Sequence, residues 1–134
     1  MDEIVNRING LTSFKDYDYK QMVDDAYQIG KTIAAKPNEV THTSLRNVHS
    51  EVVRIKSLIQ NEDSEQSAKS RINLLKPKVS YLRARAKDFN INGLKLLEKT
   101  INVCVKKITD KEDILKFKDF YDAILMYHKA EGGK

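Results

Sequence analysis

The residues of this chain whose types and spacing could do chemistry are its cations, and the chemistry they suit is phosphate binding. Lys69, Lys76, Arg83 and Lys87 recur at steps of seven, seven and four, so on one helix they would form a single line. At about 1.5 Å of rise per residue that line would run roughly 27 Å, a length suited to an extended polyanion. A second set lies upstream. On a helix through Thr43–Gln60, Arg46 falls opposite the apolar face, with His49, Arg54 and Lys56 within about 80° of it. The one acid there, Glu51, lies nearer the apolar side, whereas a merely solvated face usually mixes signs. Arginine grips a phosphate with two donors and lysine adds a point charge. A site that reads only phosphates is indifferent to sequence.

Lys78 and Arg85 belong to the same stretch but leave the line, and Tyr81 sits between them, well off the apolar seam. Tyr81 is expected either to pack on a neighbouring helix or to reach a backbone phosphate. The other aromatics, Phe117, Phe120, Tyr121 and Tyr127, have core spacing. His42 and His49 are seven apart, too far for one metal ion, and His128 lies on an apolar seam as a hydrogen-bonded core histidine. His49, flanked by Arg46 and Arg54, is the one position with the exposure a phosphotransfer histidine needs. Cys104 falls on a seam and reads as a small buried hydrophobe. No Gly-rich phosphate loop, paired-cysteine metal spacing, Gly-x-Ser-x-Gly elbow or His-Glu-x-x-His occurs. The expectation is a binding module without catalytic residues, metal or cofactor.

Those cations need elements to hold them, and the composition points to helices. The chain has 134 residues, 40% hydrophobic and 32% charged, with only 5 Gly and 2 Pro, which suits an all-α domain better than a many-turned β architecture. The length fits one domain, 1–134, with residues 1–14 either a flexible tail or a short extra helix. The net charge of +5 is compatible with nucleic acid but decides little without the placement of the charges. A lone cysteine forms no intrachain disulfide and fits a reducing compartment. No apolar run reaches membrane-spanning length and no signal-peptide pattern opens the chain, so a soluble, cytoplasmic protein is expected, with no membrane partner.

Five substantial helices in a compact bundle are predicted from three-four apolar spacing. The first covers about Lys15–Ala35 on Tyr19, Met22, Ala26, Ile29 and Ile33, opened by Asp16 and Asp18 and ended by Pro37-Asn38. The second opens at Thr43 on Leu45, Val48, Val52, Ile55 and Ile59. A long third helix, capped by Asp63 with Gln66, carries Ile72, Leu75, Val79, Leu82, Ala86 and Phe89, with a kink or break expected at Pro77. Asn90–Gly93 breaks the chain before a fourth helix on Leu94, Leu97, Ile101, Cys104 and Ile108. Thr109 and Glu112 should box the last helix, whose seam is Phe117, Tyr121, Ile124 and His128 and whose stop is Gly132-Gly133.

Four segments also carry a resemblance. Val40-Thr41-His42-Thr43-Ser44-Leu45-Arg46 is similar to the Leu-Thr-Thr-Ser-x-Leu-Arg opening of the second helix in small subunits of type III-A CRISPR–Cas (Csm) effector complexes. Glu51-Val52-Val53-Arg54-Ile55 resembles the Glu-Val-x-Arg-Ile that continues it. Leu75-Lys76-Pro77-Lys78-Val79-Ser80-Tyr81, then Ala84-Arg85, resembles Leu-Lys/Arg-Pro-Lys/Arg-x-x-Tyr-x-x-(Ala/Gly)-Arg. The ending from Phe120 to Lys129, then Gly132-Gly133, is similar to Glu-Ala-x-x-Ala-Tyr-His-Lys-x-x-Gly-Gly, with Asp122 in place of Glu and Met126 in place of a small residue. The resemblance covers about residues 21–134. It implies an all-helical, non-catalytic subunit, present in several copies, stacked beside the backbone and large subunits along the channel that holds guide RNA paired to target RNA. By motif position it carries over Arg46, Arg54, Lys76, Lys78 and Arg85 as RNA contacts. To these the residue pattern adds Lys56, Lys69, Tyr81, Arg83 and Lys87. The competing expectation is a helical adaptor whose basic face docks only protein.

Overall fold

A computed structural model describes residues 2–87 and 90–134, without the side chain of Glu62. Its regular elements are helical throughout: α1 (Asp2–Asn9), α2 (Tyr19–Ala34), α3 (His42–Ile59), α4 (Glu65–Arg71), α5 (Leu75–Ala84), α6 (Ile91–Lys106) and α7 (Lys111–Ala130). Tight 3₁₀ turns lie at Phe14–Asp16, Glu62–Ser64 and Ile72–Leu74. The all-α class is as expected, and α4 and α5 together occupy the stretch read as one long third helix.

That stretch is where sequence and structure differ most. Pro77 has no N–H to give the Asn73 carbonyl, and its ring crowds that carbonyl. The chain answers with the 3₁₀ turn at Ile72–Leu74, leaving Pro77 in the first turn of α5, where a helix makes no use of that N–H. Each 3₁₀ residue turns about 120° instead of 100°, so the turn shifts the phase of α5 against α4. Helix α5 then ends at Ala84. The seam residue Phe89 lies outside the described residues.

Several starts also moved. Helix α2 is capped by Asp18, whose carboxylate accepts the Gln21 N–H at 3.0 Å, and Tyr19 turns outward at 55% exposure instead of joining the seam. Helix α3 is capped by Thr41, two residues before the expected start, with Ser44 N–H donating to its Oγ1 at 3.1 Å. The Asp63–Gln66 cap does not form. Ser64 stands at the N-cap without a side-chain cap bond, and its hydroxyl donates back to the Leu58 carbonyl at 2.9 Å. Helix α6 begins at Ile91, so Gly93 is helical. A Cβ there would meet the Asn38 carbonyl oxygen at 2.0 Å, and the bare backbone lets α6 butt against the α2–α3 connection. The box on α7 is Asp110 with Asp113, one residue on from Thr109 and Glu112.

The core gathers on α7. Phe117, Phe120, Tyr121, Ile124 and His128 are buried on it, with α2 against one side and α3 against the other. Helix α3 packs in turn on α4 and α5, α5 on α6, and α6 on α1. Phe14 and Tyr17 close the top of α7 in a cluster with Phe117 and Phe120, at centroid distances of 5.5 to 5.9 Å, Phe14 meeting Tyr17 and Phe117 edge to face and Phe120 tilted against both Phe14 and Tyr17. Burying each such ring stabilises the fold by about 1.5–3 kcal/mol. Two buried carboxylates fasten this segment. Asp25 accepts from Arg7, Gln21 and the Tyr17 hydroxyl, while Asp113 accepts from the Ser13 hydroxyl at 2.6 Å and the Lys15 N–H at 2.7 Å.

The C-terminal Gly-Gly completes the fold. Gly132 takes a positive φ of 90°, Gly132 N–H donates to Lys129 and Gly133 N–H to the His128 carbonyl, so α7 ends in a Schellman motif. Gly133 lies against the His128 imidazole, where a Cβ would come within 2.2 Å of the ring. His128 is fully buried and donates Nε2–H to the Val40 carbonyl at 2.7 Å, the core histidine the sequence predicts. Met126, the departure from the family ending, is 65% exposed and disturbs no packing. Cys104 is buried, and burial pushes its thiol pKa up.

Candidate nucleic-acid interface

The basic line Lys69–Lys76–Arg83–Lys87 does not lie on one helix. Lys69 is on α4, Lys76 and Arg83 are on α5, and Lys87 follows the end of α5. The 3₁₀ turn and the early stop of α5 together break the 27 Å row. Two of its four cations also have carboxylate partners. Lys69 lies 3.9 Å from Glu65 on its own helix. Arg83 grips Glu98 of α6 with two nitrogens, at 2.9 and 3.3 Å, and the Ser80 hydroxyl donates to the same carboxylate. The Arg83 bond holds Glu98 below its ordinary pKa against burial, and Glu98 raises Arg83 in return.

Helix α5 therefore has two flanks. Ser80 and Arg83 face α6, and by helical phase Lys76 joins them. The other flank carries Lys78, Tyr81 and Arg85, at i, i+3 and i+7, and at Arg85 it meets α3. There Arg85, Leu82 and Ala86 share a groove of about 210 Å³ with Ser44 and Asn47 of α3. Arg54 is two turns beyond Asn47 on the same side of α3, and Arg46 stands on the outward crest beside it. By helical phase Arg46 and Arg54 fall on the outer side of α3, and Lys78, Tyr81 and Arg85 on one flank of α5, the helix that packs on it. Lys56 is set apart. It shares the face of His49, and the His49 Nε2 is 2.8 Å from Asp122 of α7.

Of the nine cations singled out in the sequence, Lys69 and Arg83 are paired. The other seven, Arg46, Arg54, Lys56, Lys76, Lys78, Arg85 and Lys87, have no carboxylate partner among the described residues. Glu51 is buried under Arg71, at 2.8 Å, and Asp122 holds both His49 and Lys118. His49 is half-buried, stacked on Tyr121 at 6.0 Å, rather than exposed as a phosphotransfer histidine would be. Tyr81 does not pack on a neighbouring helix: it is 60% exposed, with the Arg85 guanidinium 5.4 Å from its ring centroid.

Sequence reading missed Asn47 and Asn90, whose side chains line the groove beside Arg85. Asn47 had a signal, being seven residues before Arg54. Asn90 had none, because its place depends on where α5 stops. A larger cleft, about 610 Å³, is elsewhere, between α1, α2 and the end of α7. Its buried Asp25 is already satisfied by Arg7, Tyr17 and Gln21, so that wall is structural. No group of three or more metal-ligating side chains is found among the described residues, and no helix is long and apolar enough to cross a membrane.

No curated protein and no solved structure is matched by the chain. The family model described as Csm2 Type III-A matches residues 16–134, which include every helix from α2 to α7 and the nine cations singled out in the sequence. The chain therefore belongs to the Csm2 Type III-A family, and is a small subunit of a type III-A CRISPR–Cas complex that assembles with other Csm subunits.

Proposed function

We propose that this subunit is a non-catalytic RNA-binding component of its complex, neutralising backbone phosphates of guide RNA paired to target RNA through the α3–α5 surface. The observation that carries this is that Arg46, Arg54, Lys78 and Arg85 have no carboxylate partner among the described residues, whereas Glu51 of α3 and Glu98 of α6 are bound to Arg71 and Arg83. Unneutralised charge at an exposed helix pair costs the fold little in water but favours a polyanion by releasing its counterions. Backbone and large subunits, and other copies of this chain, supply the remaining contacts, so weak sequence-independent affinity is amplified by assembly. Lys76 and Lys87, also unpaired among the described residues, and Lys56 add charge from the flanks. Lys69 and Arg83, whose charges are partly neutralised, contribute least. Cleavage belongs to partner subunits, and the site of action is the cytoplasm.

The adaptor reading, a basic face docked only on an acidic protein, predicts a different purification. Pull-down of the native complex through this subunit should yield short RNA with the other Csm proteins. Protein partners without RNA, before and after nuclease-free washing, would favour the adaptor.

A further inference from the structure

We propose that Tyr81 and Arg85 form a stacking platform for an unpaired nucleobase of single-stranded RNA, so that the α3–α5 surface holds a base of the strand as well as its phosphates. The inference rests on the RNA-binding reading above and adds a ligand group to it.

Tyrosines elsewhere in the chain are accounted for by the fold. Tyr17 and Tyr121 are buried and hydrogen-bonded, and Tyr27 packs edge-on against Tyr127 at 5.2 Å. Tyr19 is exposed, but its hydroxyl donates to Asp119 at 3.3 Å and Lys116 caps its ring at 4.1 Å, with that carboxylate repelling phosphate. Tyr81 has no tie of this kind to a carboxylate or to another helix among the described residues, only to Arg85 on its own helix end. Its ring is the more exposed of the two, its hydroxyl meets only Arg85 Nη1 at 3.4 Å, and no carboxylate adjoins it among the described residues. Support of α5 by an i, i+4 contact would not need an open ring.

The setting suits a base. Arg85 lies over the Tyr81 ring and also lines the neighbouring groove, whose other walls are apolar at Leu82, Ala86 and Leu94 and polar at Ser44, Asn47 and Asn90, the Asn90 Oδ1 already accepting the Lys87 N–H at 2.9 Å. At about 210 Å³ the groove is below the roughly 300–1,000 Å³ of drug-sized sites, so it has room for a single ring rather than an extended ligand. An aromatic face, a guanidinium plane and nearby amides are the groups with which proteins hold splayed bases, and stacking on them is tolerant of base identity. In a paired duplex the base faces are already stacked and the platform would find nothing to hold. The ligand is therefore an unpaired nucleotide, with Lys78 one turn away for its phosphate.

The test uses the full-length chain and two labelled RNAs, a single strand carrying one fluorescent purine analogue and the same strand fully paired. Binding should quench the analogue in the single strand. Tyr81→Ala should abolish the quench and weaken single-strand binding about tenfold, leaving duplex affinity and the salt slope unchanged. Tyr81→Phe should keep the quench, and Tyr19→Ala should behave as wild type. An undiminished quench in Tyr81→Ala, or equal losses on strand and duplex, overturns the platform while leaving phosphate binding in place. Salt-independent binding by the wild type overturns the phosphate reading as well.

Discussion

Arg83 and Glu98 lie 15 residues apart in sequence and form a two-pronged ion pair between α5 and α6, at 2.9 and 3.3 Å. Two residues further on, Arg85 has no carboxylate partner among the described residues and rests on Tyr81. Neighbours in sequence thus have opposite employment. Arg83→Met is predicted to lower thermal stability and leave RNA affinity near wild type. Arg85→Met should do the reverse, with the salt slope reduced by about 0.7, one single-strand phosphate. Paired melting curves and RNA titrations of the two variants check both halves.

Asp113 joins segments nearly a hundred residues apart, accepting from Ser13, Lys15, Thr109 and Asp110 with no solvent exposure. Asp113→Ala strands those donors and removes the α7 box, so a loss of about 2–4 kcal/mol is expected by chemical denaturation. Unchanged stability would mean that the N-terminal segment is not fastened through this carboxylate.

Acid should act through the same group. Burial raises the Asp113 carboxyl, but the donors around it outweigh burial and hold it below 3.8; Asp25 is held down in the same way by Arg7, Tyr17 and Gln21. A carboxyl with a depressed folded pKa contributes fully above its unfolded value, near 3.9, and its contribution is lost as pH falls through the folded value. Stability is predicted to hold above about pH 5 and fall below about pH 4. The fall should be shallower in Asp113→Asn, measured by urea unfolding across that range.

Gly93 lets the first turn of α6 lie against the Asn38 carbonyl, with 2.0 Å where a methyl would need room. Backbone cannot yield there as a flexible side chain would. Gly93→Ala is predicted to destabilise by about 1–3 kcal/mol despite its better helix propensity. A melting temperature at or above wild type would contradict this.

The apolar seams were legible because burial imposes three-four spacing on any amphipathic helix, and Met22, Leu45, Val79, Leu97 and Tyr121 all lie where that spacing puts them. The Gly132-Gly133 stop was legible for an equally local reason. Cap positions slipped because Asp110, Thr41 and Ser64 compete with neighbours of similar chemistry, and a distant donor such as Lys15 decided for Asp113. The basic row failed for two reasons. Pro77 signalled an interruption, but the change of helical phase that followed depends on the local 3₁₀ turn. Ion pairing between helices, as at Arg83–Glu98 and Arg71–Glu51, has no sequence period at all. Of the residues carried by resemblance, Arg46 and Arg54 fall on the outer side of α3 and Lys78 and Arg85 on one flank of α5, while Lys76 lies on the other flank.

The most direct measurement is RNA affinity of the isolated chain as a function of salt, for wild type and for Arg46→Glu/Arg54→Glu. If about five cations engage a single strand, log affinity should fall against log salt with a slope near −3.5. The double variant should lose binding while keeping wild-type helicity and melting behaviour, since both residues are exposed and unpaired among the described residues. A flat salt dependence, or a double variant that binds as tightly as wild type, would contradict phosphate recognition by the α3–α5 surface.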